Sequence, residues 1–485
     1  MSARGGGPRD LRQYEATILT LDEAGFGRAT ITVPGAGERT LAVRNALPGE
    51  TVTAVVRHRR RGVWYAEVAA PMVQARTIVQ ARTIVRAGAP PGVLPAAETR
   101  GGLSVVPAPD RVTAPCSVFP RCGGCALQHQ AHAVQLDDKM RRVAGLLASA
   151  VPANPAAPVQ APTWLPPVVG PRFHYRYKAR LGARWVGHDL LLGFRESFGN
   201  RVVRMSECPV LAPQLNDALP ELARVLSGLS VAQAIPQVEL AAGDVDAAFV
   251  VRHLEPLTPA DERALQAFER RGLRSIYLQP AGPESLRAPV TGLAPAPLGY
   301  ALPAFGLHFA FLPTDFTQVN PHVNRMLVET VVLGLGLPPE ARVADLFCGI
   351  GNFSLALARR GYRVEGYEAS AGAIQRARSN AQRNDLARRT SFAVADLYGT
   401  AVPDLSGVRG LVLDPPRSGA GPRLSDWLAA PGLERVAYVS CNPLTFASDA
   451  VILQSAGFRL RTLRIFDMFP HTSHVETFGL FERGG

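Results

Sequence analysis

The chain has 485 residues, 47% hydrophobic and 19% charged, with 52 Lys+Arg against 40 Asp+Glu for a formal charge of +12. At roughly 100–200 residues per domain, that length suggests about three domains with ample core, and the composition excludes disordered, collagen-like and disulfide-scaffold proteins. No apolar run approaches the ~18 residues of a membrane span, and Met1 to Asp10 carry no hydrophobic leader. Six cysteines in such a chain point to a reducing, cytoplasmic setting where clustered thiols serve as metal ligands or catalysts.

Residues 12–70 read as short strands with turn punctuation, from Glu15-Ala-Thr-Ile-Leu-Thr-Leu21 through Ala29-Thr-Ile-Thr-Val33 to Thr51-Val-Thr-Ala-Val-Val56. Alternation with Gly and Pro turns at this spacing predicts a small, OB-like β-barrel over 1–72. Arg57-His-Arg-Arg-Arg61 lies beside Trp64 and Tyr65. That pattern suits base stacking with phosphate contact, and it equally suits a barrel edge with buried aromatics. A tandem hexapeptide follows, Val73-Gln-Ala-Arg-Thr-Ile78 and Val79-Gln-Ala-Arg-Thr-Ile84, which reads as a tolerated duplication in a connector. Pro/Ala-rich stretches near 87–97 and 151–168 read as linkers, and His132 to Ala150 has helical periodicity. Residues 73–185 hold fourteen basic groups against four acidic ones, and such a block suits a polyanion partner, because arginines neutralise phosphates and release counterions. Short strands with one or two helices are expected from 172 to about 310, making 73–310 a β-rich central domain.

Within that domain, Cys116-x5-Cys122-x2-Cys125 and the distant Cys208-Pro209 follow the ligand grammar of an iron–sulfur cluster, with zinc in four thiolates as the alternative. The first spacing is not that of a radical cluster, which needs three intervening residues, so a structural [4Fe-4S] cluster is expected.

From 311 to 485 strand and helix alternate, predicting a doubly wound, Rossmann-like α/β domain with a parallel sheet. Asp345-Leu-Phe-Cys-Gly-Ile-Gly-Asn352 closes a strand and opens a helix, where Gly349 and Gly351 let a ligand approach bare backbone. The next strand ends at Glu368, placed to accept from ribose hydroxyls, and Asp396 follows the third. Ser354 stands where a dinucleotide site wants its third glycine, so this ordered set fits S-adenosylmethionine (SAM) better. Asp414-Pro-Pro-Arg417 forms a rigid turn at the crevice rim, like the loop of amino-methyltransferases except that Arg417 replaces the aromatic residue. Ser440-Cys441-Asn442-Pro443 follows an apolar strand and puts a thiol at the crevice, where backbone N–H groups and cations can favour the thiolate. Methylating a pyrimidine at C5 needs such a nucleophile, because C5 is unreactive until something adds at C6. Glu476, in Phe466-Asp-Met-Phe-Pro-His471-Thr-Ser-His474-Val-Glu476, suits the base that removes the C5 proton. Cys348, inside the glycine loop, reads as structural.

Taken together, Phe316-Thr-Gln318-Val-Asn320, Asp414-Pro-Pro-Arg417, Ser440-Cys-Asn-Pro443 and His471-Thr-x-His-Val-Glu476 resemble the bacterial RNA uracil-5-methyltransferases, most of all the 23S rRNA branch with its TRAM barrel and [4Fe-4S] cluster. The resemblance covers most of the chain. It implies that Gln318, Phe347, Asn352, Glu368, Asp396 and Asp414 contact SAM or the target base, that Cys441 is the nucleophile and Glu476 the base, and that Cys116, Cys122, Cys125 and Cys208 hold the cluster. The implied partner is 23S ribosomal RNA and the expected state a monomer away from membranes. The tRNA-directed branch typically lacks barrel and cluster, so a tRNA target is the alternative, as is a non-catalytic RNA-binding protein. A cytosine-5 enzyme is disfavoured, because the Asp414 loop has no second cysteine.

Overall fold

The computed structural model describes residues 12–69, 107–150, 161–270, 272, 274–400 and 403–484. The tandem hexapeptide, the Pro/Ala stretch at 87–97 and the first ten residues of the one at 151–168 lie outside them. The chain divides into two compact units. The first gathers residues up to Gln135 with the short segments Arg195–Arg201 and His471–Ser473, and the second holds the rest.

In the first unit, β1 (Gln13–Thr17), β2 (Thr20–Leu21), β3 (Gly27–Val33), β4 (Gly37–Arg44), β5 (Thr51–Arg60) and β6 (Val63–Val68) form one sheet in the order β1-β5-β6-β4-β3-β2. The stretch 15–21, expected as one strand, is two. At Ile18 the backbone leaves β5, its N–H bonding Glu50 O, and at Leu19 it joins β3 through Arg28 O. That change of partner curls the sheet back on itself. Alternate residues fill its interior, Ala29, Ile31 and Val33 from β3 among them, with Trp64 and Val56. The β5–β6 hairpin turns on Arg61 and Gly62, both at positive φ, the twist-matched two-residue turn. Glu50 is fully buried, yet its carboxylate accepts from Arg111 Nε (2.5 Å) and Nη2 (2.6 Å) and from the Leu47 N–H (2.7 Å), so its charge is satisfied.

The second unit begins at Leu136, within the helix His132–Ala150, and the short β7 (Thr163–Trp164) follows. A five-stranded sheet follows, β12-β11-β10-β8-β9, built from β8 (Lys178–Val186), β9 (Asp189–Gly193), β10 (Gln237–Ala242), β11 (Ala247–Arg252) and β12 (Arg274–Gln279). Only β11 and β12 are parallel, joined by the helix Pro259–Glu269, whose Thr258 and Asp261 form a capping box. A hairpin, β13 (Leu298–Leu302) with β14 (Leu307–Phe311), leads onward. Asn380 and Asn384, one helical turn apart, bond both backbone groups of Ala310 and His308 and so satisfy β14's outer edge.

The large sheet runs β17 (Thr390–Val394), β16 (Arg363–Glu368), β15 (Arg342–Leu346), β18 (Gly410–Leu413), β19 (Arg435–Ser440), β21 (Glu476–Arg483), β20 (Phe458–Phe466), β7. The first five strands are parallel, as expected of a doubly wound domain, but β21 inserts antiparallel between β19 and β20. Alternate residues feed two cores, Val343, Val412 and Val439 on one face and Ala344, Leu411, Leu413 and Tyr438 on the other. Burial on both faces is why these strands read as continuous apolar runs. The strand order reverses between β15 and β18, which opens the crevice at their carboxyl ends.

Candidate active site

Every residue of this site lies in the second unit. At the end of β15 the chain turns sharply: Phe347 takes φ +67°, a strained value for a bulky side chain, and Gly349 takes +54°. A Cβ on Gly349 would meet nothing within 4 Å, so this glycine faces open space, as a cradle for a ligand requires. Gly351 takes φ +91°, a conformation that favours glycine, and a Cβ there would lie in ordinary contact with Leu355, Ala377 and Phe392. Glu368 ends β16 with one carboxylate oxygen accepting from Gly349 N (3.3 Å) and the other from Ser370 N (2.9 Å). Ser354, in the place of a third glycine, donates its hydroxyl to the buried Asp345 carboxylate. Burial, reinforced by the charge of Glu368 and opposed by the Ser354 bonds, pushes Asp345 up to about 7.

Phe347 packs against Tyr398 and Trp427, with ring centroids at 5.8 and 6.1 Å. Asp396 is exposed and caps the turn after β17 by accepting from Tyr398 N (3.0 Å). Tyr398 then reaches across to the Asp414 loop, its hydroxyl bonding Gly419 O at 2.6 Å. Asn352 is committed to its neighbours: its amide exchanges hydrogen bonds with Asn324 (2.9 and 3.1 Å) and accepts from Tyr300 OH (3.0 Å). Tyr398, Asn324 and Tyr300 were not foreseen from sequence. They act through contacts 21 to 52 residues apart, for which no local motif exists.

The reactive half lies beyond β18. Gln318 donates its amide to Asp414 Oδ2 (3.3 Å), and Asn320 caps the helix Pro321–Leu335 by accepting from Val323 N (3.2 Å). Asn442 fastens two loops: it caps the helix Pro443–Ser455 and donates to Arg417 O (2.8 Å). Cys441, half-buried, directly follows β19, while Glu476 opens the neighbouring β21 and is 2% exposed. Glu476 Oε1 has no hydrogen-bond partner among the described residues. Burial first, then the charge of Asp414, raises Glu476 well above the carboxylate range, and Asp414 is raised in turn by burial and by Asp345. The expectation that cations favour the Cys441 thiolate is corrected by this geometry. Burial and the charges of Glu476 and Asp414 push its thiol up to about 12, and Arg417 offsets them only in part. Cys348 is buried with its thiol pushed up, in keeping with a structural role.

In the first unit, Arg44 holds the cysteine-bearing loop by donating to Phe119 O (3.0 Å) and Cys122 O (3.1 Å), and Cys122 Sγ accepts from Gly124 N (3.4 Å). Cys208 is buried in the second unit, its N–H bonded to Asn216 Oδ1 (2.6 Å). Among the described residues no group of three or more His, Cys, Asp or Glu side chains is gathered to hold a metal ion. No helix among the described residues is long and apolar enough to cross a membrane.

Residues 403–483 match the tRNA (Uracil-5-)-methyltransferase family, and residues 343–407 a general methyltransferase domain. The 23S rRNA (uracil(1939)-C(5))-methyltransferase RlmD of Alkalilimnicola ehrlichii is 38% identical over 476 residues, 97% of this chain and 96% of that protein. The enzyme of the same name from Nitrosococcus oceani is 43% identical, covering 78% of this chain and 84% of its own. Among solved structures, the Pyrococcus abyssi tRNA (uracil-54, C5)-methyltransferase in complex with S-adenosyl-L-homocysteine superposes with a TM-score of 0.66 at 22% identity, covering 96% of this chain and all of that one, a likeness of fold. With such identity carried across nearly its whole length, the chain belongs to the RNA uracil-C5-methyltransferase family.

Proposed function

We propose that this protein methylates C5 of a uridine in 23S rRNA with SAM, through a covalent adduct of Cys441. The observation that carries this is the convergence of Cys441, Asp414 and Glu476 where β18 and β19 end and the antiparallel β21 begins, close enough that Asp414 raises the proton affinity of Glu476 and both raise that of Cys441. The relatives' names supply the nucleic acid and the atom.

SAM, when bound, supplies a methyl carbon on a positively charged sulfur. Gly349, Glu368 and Phe347 are the residues to hold it. Before attack the Cys441 thiol must lose its proton, which passes to the Asp414 carboxylate, so that Glu476 stays ionised for the later step. Sγ then bonds C6 of uracil, the C5=C6 electrons move toward O4, and C5 becomes nucleophilic. After C5 takes the methyl carbon, ionised Glu476 removes the C5 proton, the double bond re-forms and the Sγ–C6 bond breaks. A stacked base hides C6, so the uridine must be flipped out of its strand.

The first unit would serve as a TRAM-type RNA-binding barrel in a monomeric, cytoplasmic enzyme. His58 stacks on Tyr65 (4.6 Å, 6° between planes) and Arg59 lies 3.9 Å over Trp64, an arrangement suited to stacking bases and pairing phosphates. The [4Fe-4S] reading of Cys116, Cys122, Cys125 and Cys208 is supported by their spacing and by the N–H bond to Cys122 Sγ. Protein purified without oxygen should carry about four iron and four sulfide per chain; zinc without sulfide would favour the alternative.

The test of the reaction is label transfer from SAM to unmodified 23S rRNA and, separately, to unmodified tRNA, with the product nucleoside identified by mass. 5-Methyluridine in 23S rRNA is expected. Label in tRNA alone would overturn the substrate, and none in either would overturn the reaction. RNA carrying 5-fluorouridine should trap Cys441 covalently, since fluorine cannot leave as a proton.

A further inference from the structure

Only Lys139 and Lys178 of the 52 basic residues are lysines. Lys139, buried, is accounted for by its ion pair with Asp467 at 2.6 Å. Lys178, half-buried at the start of β8, has no ion pair among the described residues. Glu239 on the adjacent β10 is taken by Arg180 at 2.7 Å, and the Asp315 carboxylate by Arg376 at 3.1 Å. The Lys178 ammonium donates instead to a backbone carbonyl, that of Asp315. Burial pushes it down to about 8, so at pH 7 the bond is still made by a charged donor.

Asp315 lies in the connection between β14 and the helix Pro321–Leu335. It closes a turn on itself, its N–H bonding Leu312 O (2.9 Å) and its carboxylate accepting from Leu312 N (2.7 Å). Further along, Val319 O accepts from Tyr177 N (2.8 Å). The consecutive residues Tyr177 and Lys178 thus hold the carbonyls on both sides of Phe316-Thr317-Gln318, a stretch in neither strand nor helix. From that stretch Gln318 donates to Asp414 Oδ2, the carboxylate that takes the thiol proton, and a donor there favours the ionised form able to accept it.

We propose that Lys178 is a positioning residue for methyl transfer: by holding the Asp315 carbonyl it fixes Gln318 on Asp414. The proposal rests on the reading of the protein as an RNA uracil-C5-methyltransferase, in which Asp414 receives a proton. A side chain on irregular backbone wanders unless the backbone is tied on both sides of it. Misplacing a reacting group by about 1 Å can cost about 10²-fold in rate.

Two variants of the full-length protein test this. Lys178→Met keeps the stem without a donor, and Lys178→Gln keeps a polar end on a shorter stem. Amide hydrogen exchange, which needs no turnover, should speed about tenfold or more over 312–320 in both and stay unchanged over 343–352. In methyl transfer kcat should fall about tenfold or more, while the affinity for S-adenosyl-L-homocysteine stays that of the wild type. In the Lys178→Met/Gln318→Ala double variant kcat should equal that of Gln318→Ala alone, because the lysine acts through the glutamine. Effects that multiply in the double variant, unchanged exchange over 312–320, or faster exchange throughout the unit in both variants would overturn the positioning role. A wild-type protein that forms no 5-methyluridine, with faster exchange in the variants confined to 312–320, would instead overturn the reaction and leave the hold on Gln318 standing.

Discussion

The two halves of the crevice are built on opposite principles. On the cofactor side, around β15 and β16, most polar groups are matched within the protein: Glu368 accepts two backbone N–H groups, Asn352 is locked to Asn324 and Tyr300, and Asp345 takes the Ser354 hydroxyl on one oxygen, leaving only its Oδ1 without a partner among these groups. On the reactive side, around β19 and β21, the groups are set against one another. Asp414 raises the proton affinity of Glu476, a buried carboxylate with an unpartnered oxygen, and both carboxylates raise that of the half-buried Cys441 thiol. A satisfied half is preorganised for binding, whereas a mutually opposed half holds its groups protonated until substrate arrives with partners for them.

The sharpest way to break the reactive half is Cys441→Ala. Methyl transfer should fall at least about 10³-fold, since no other group can make C5 nucleophilic, while SAM affinity stays that of the wild type. Calorimetry with S-adenosyl-L-homocysteine beside a methylation assay checks both; a loss of cofactor binding would mean the halves are not separate. Glu476→Gln should slow turnover about 10²–10⁴-fold, the range for a missing general base. The methyl group would already have been transferred, so the block falls at proton removal. A protein–RNA adduct stable to denaturing electrophoresis should accumulate on ordinary uridine, and its absence would move the base elsewhere.

How far these halves were legible depends on how local they are. The strand-end glycine loop, the Asp414 turn and Cys441 each sit at a junction that a single stretch of sequence announces, and the helix His132–Ala150 shows its own periodicity. The insertion of β21 does not. Thr477, Phe478, Gly479 and Leu480 are buried on both faces, so no alternation marks the strand, and only the assembled sheet brings Glu476 beside Cys441. The direction of the thiol's shift was misread for the same reason, since it depends on carboxylates delivered by two other strands.

The satisfied half can be probed through its one strained charge. Asp345 has a folded pKa near 7, raised above its usual range, so the folded state holds its proton more tightly than the unfolded chain does. Its contribution is fully present at low pH and is lost as pH rises from about 4 through 7, a matter of a few kcal/mol. Wild-type Tm should therefore drop between pH 5 and pH 8 relative to Asp345→Asn, whose amide oxygen can still accept from Ser354. Parallel melting curves across that range would show instead that the charge is relieved within the fold.

The smallest effect discriminates most finely. Glu368→Gln keeps one acceptor and replaces the other with an amide NH2 donor facing a backbone N–H, so the proposed ribose contact weakens. A charge-assisted bond of this kind is worth about 1.5–3 kcal/mol, so SAM should bind roughly tenfold or more weakly. The ribose is the same before and after methyl transfer, and the weakening should therefore be equal for SAM and S-adenosyl-L-homocysteine, as uniform binding demands. Equal losses measured by calorimetry would fix Glu368 as a holder of the cofactor. A larger loss for SAM would mean that the carboxylate senses the sulfonium charge itself, in which case Glu368 belongs with Cys441 and Glu476, and the boundary between the two halves lies one strand further along the sheet.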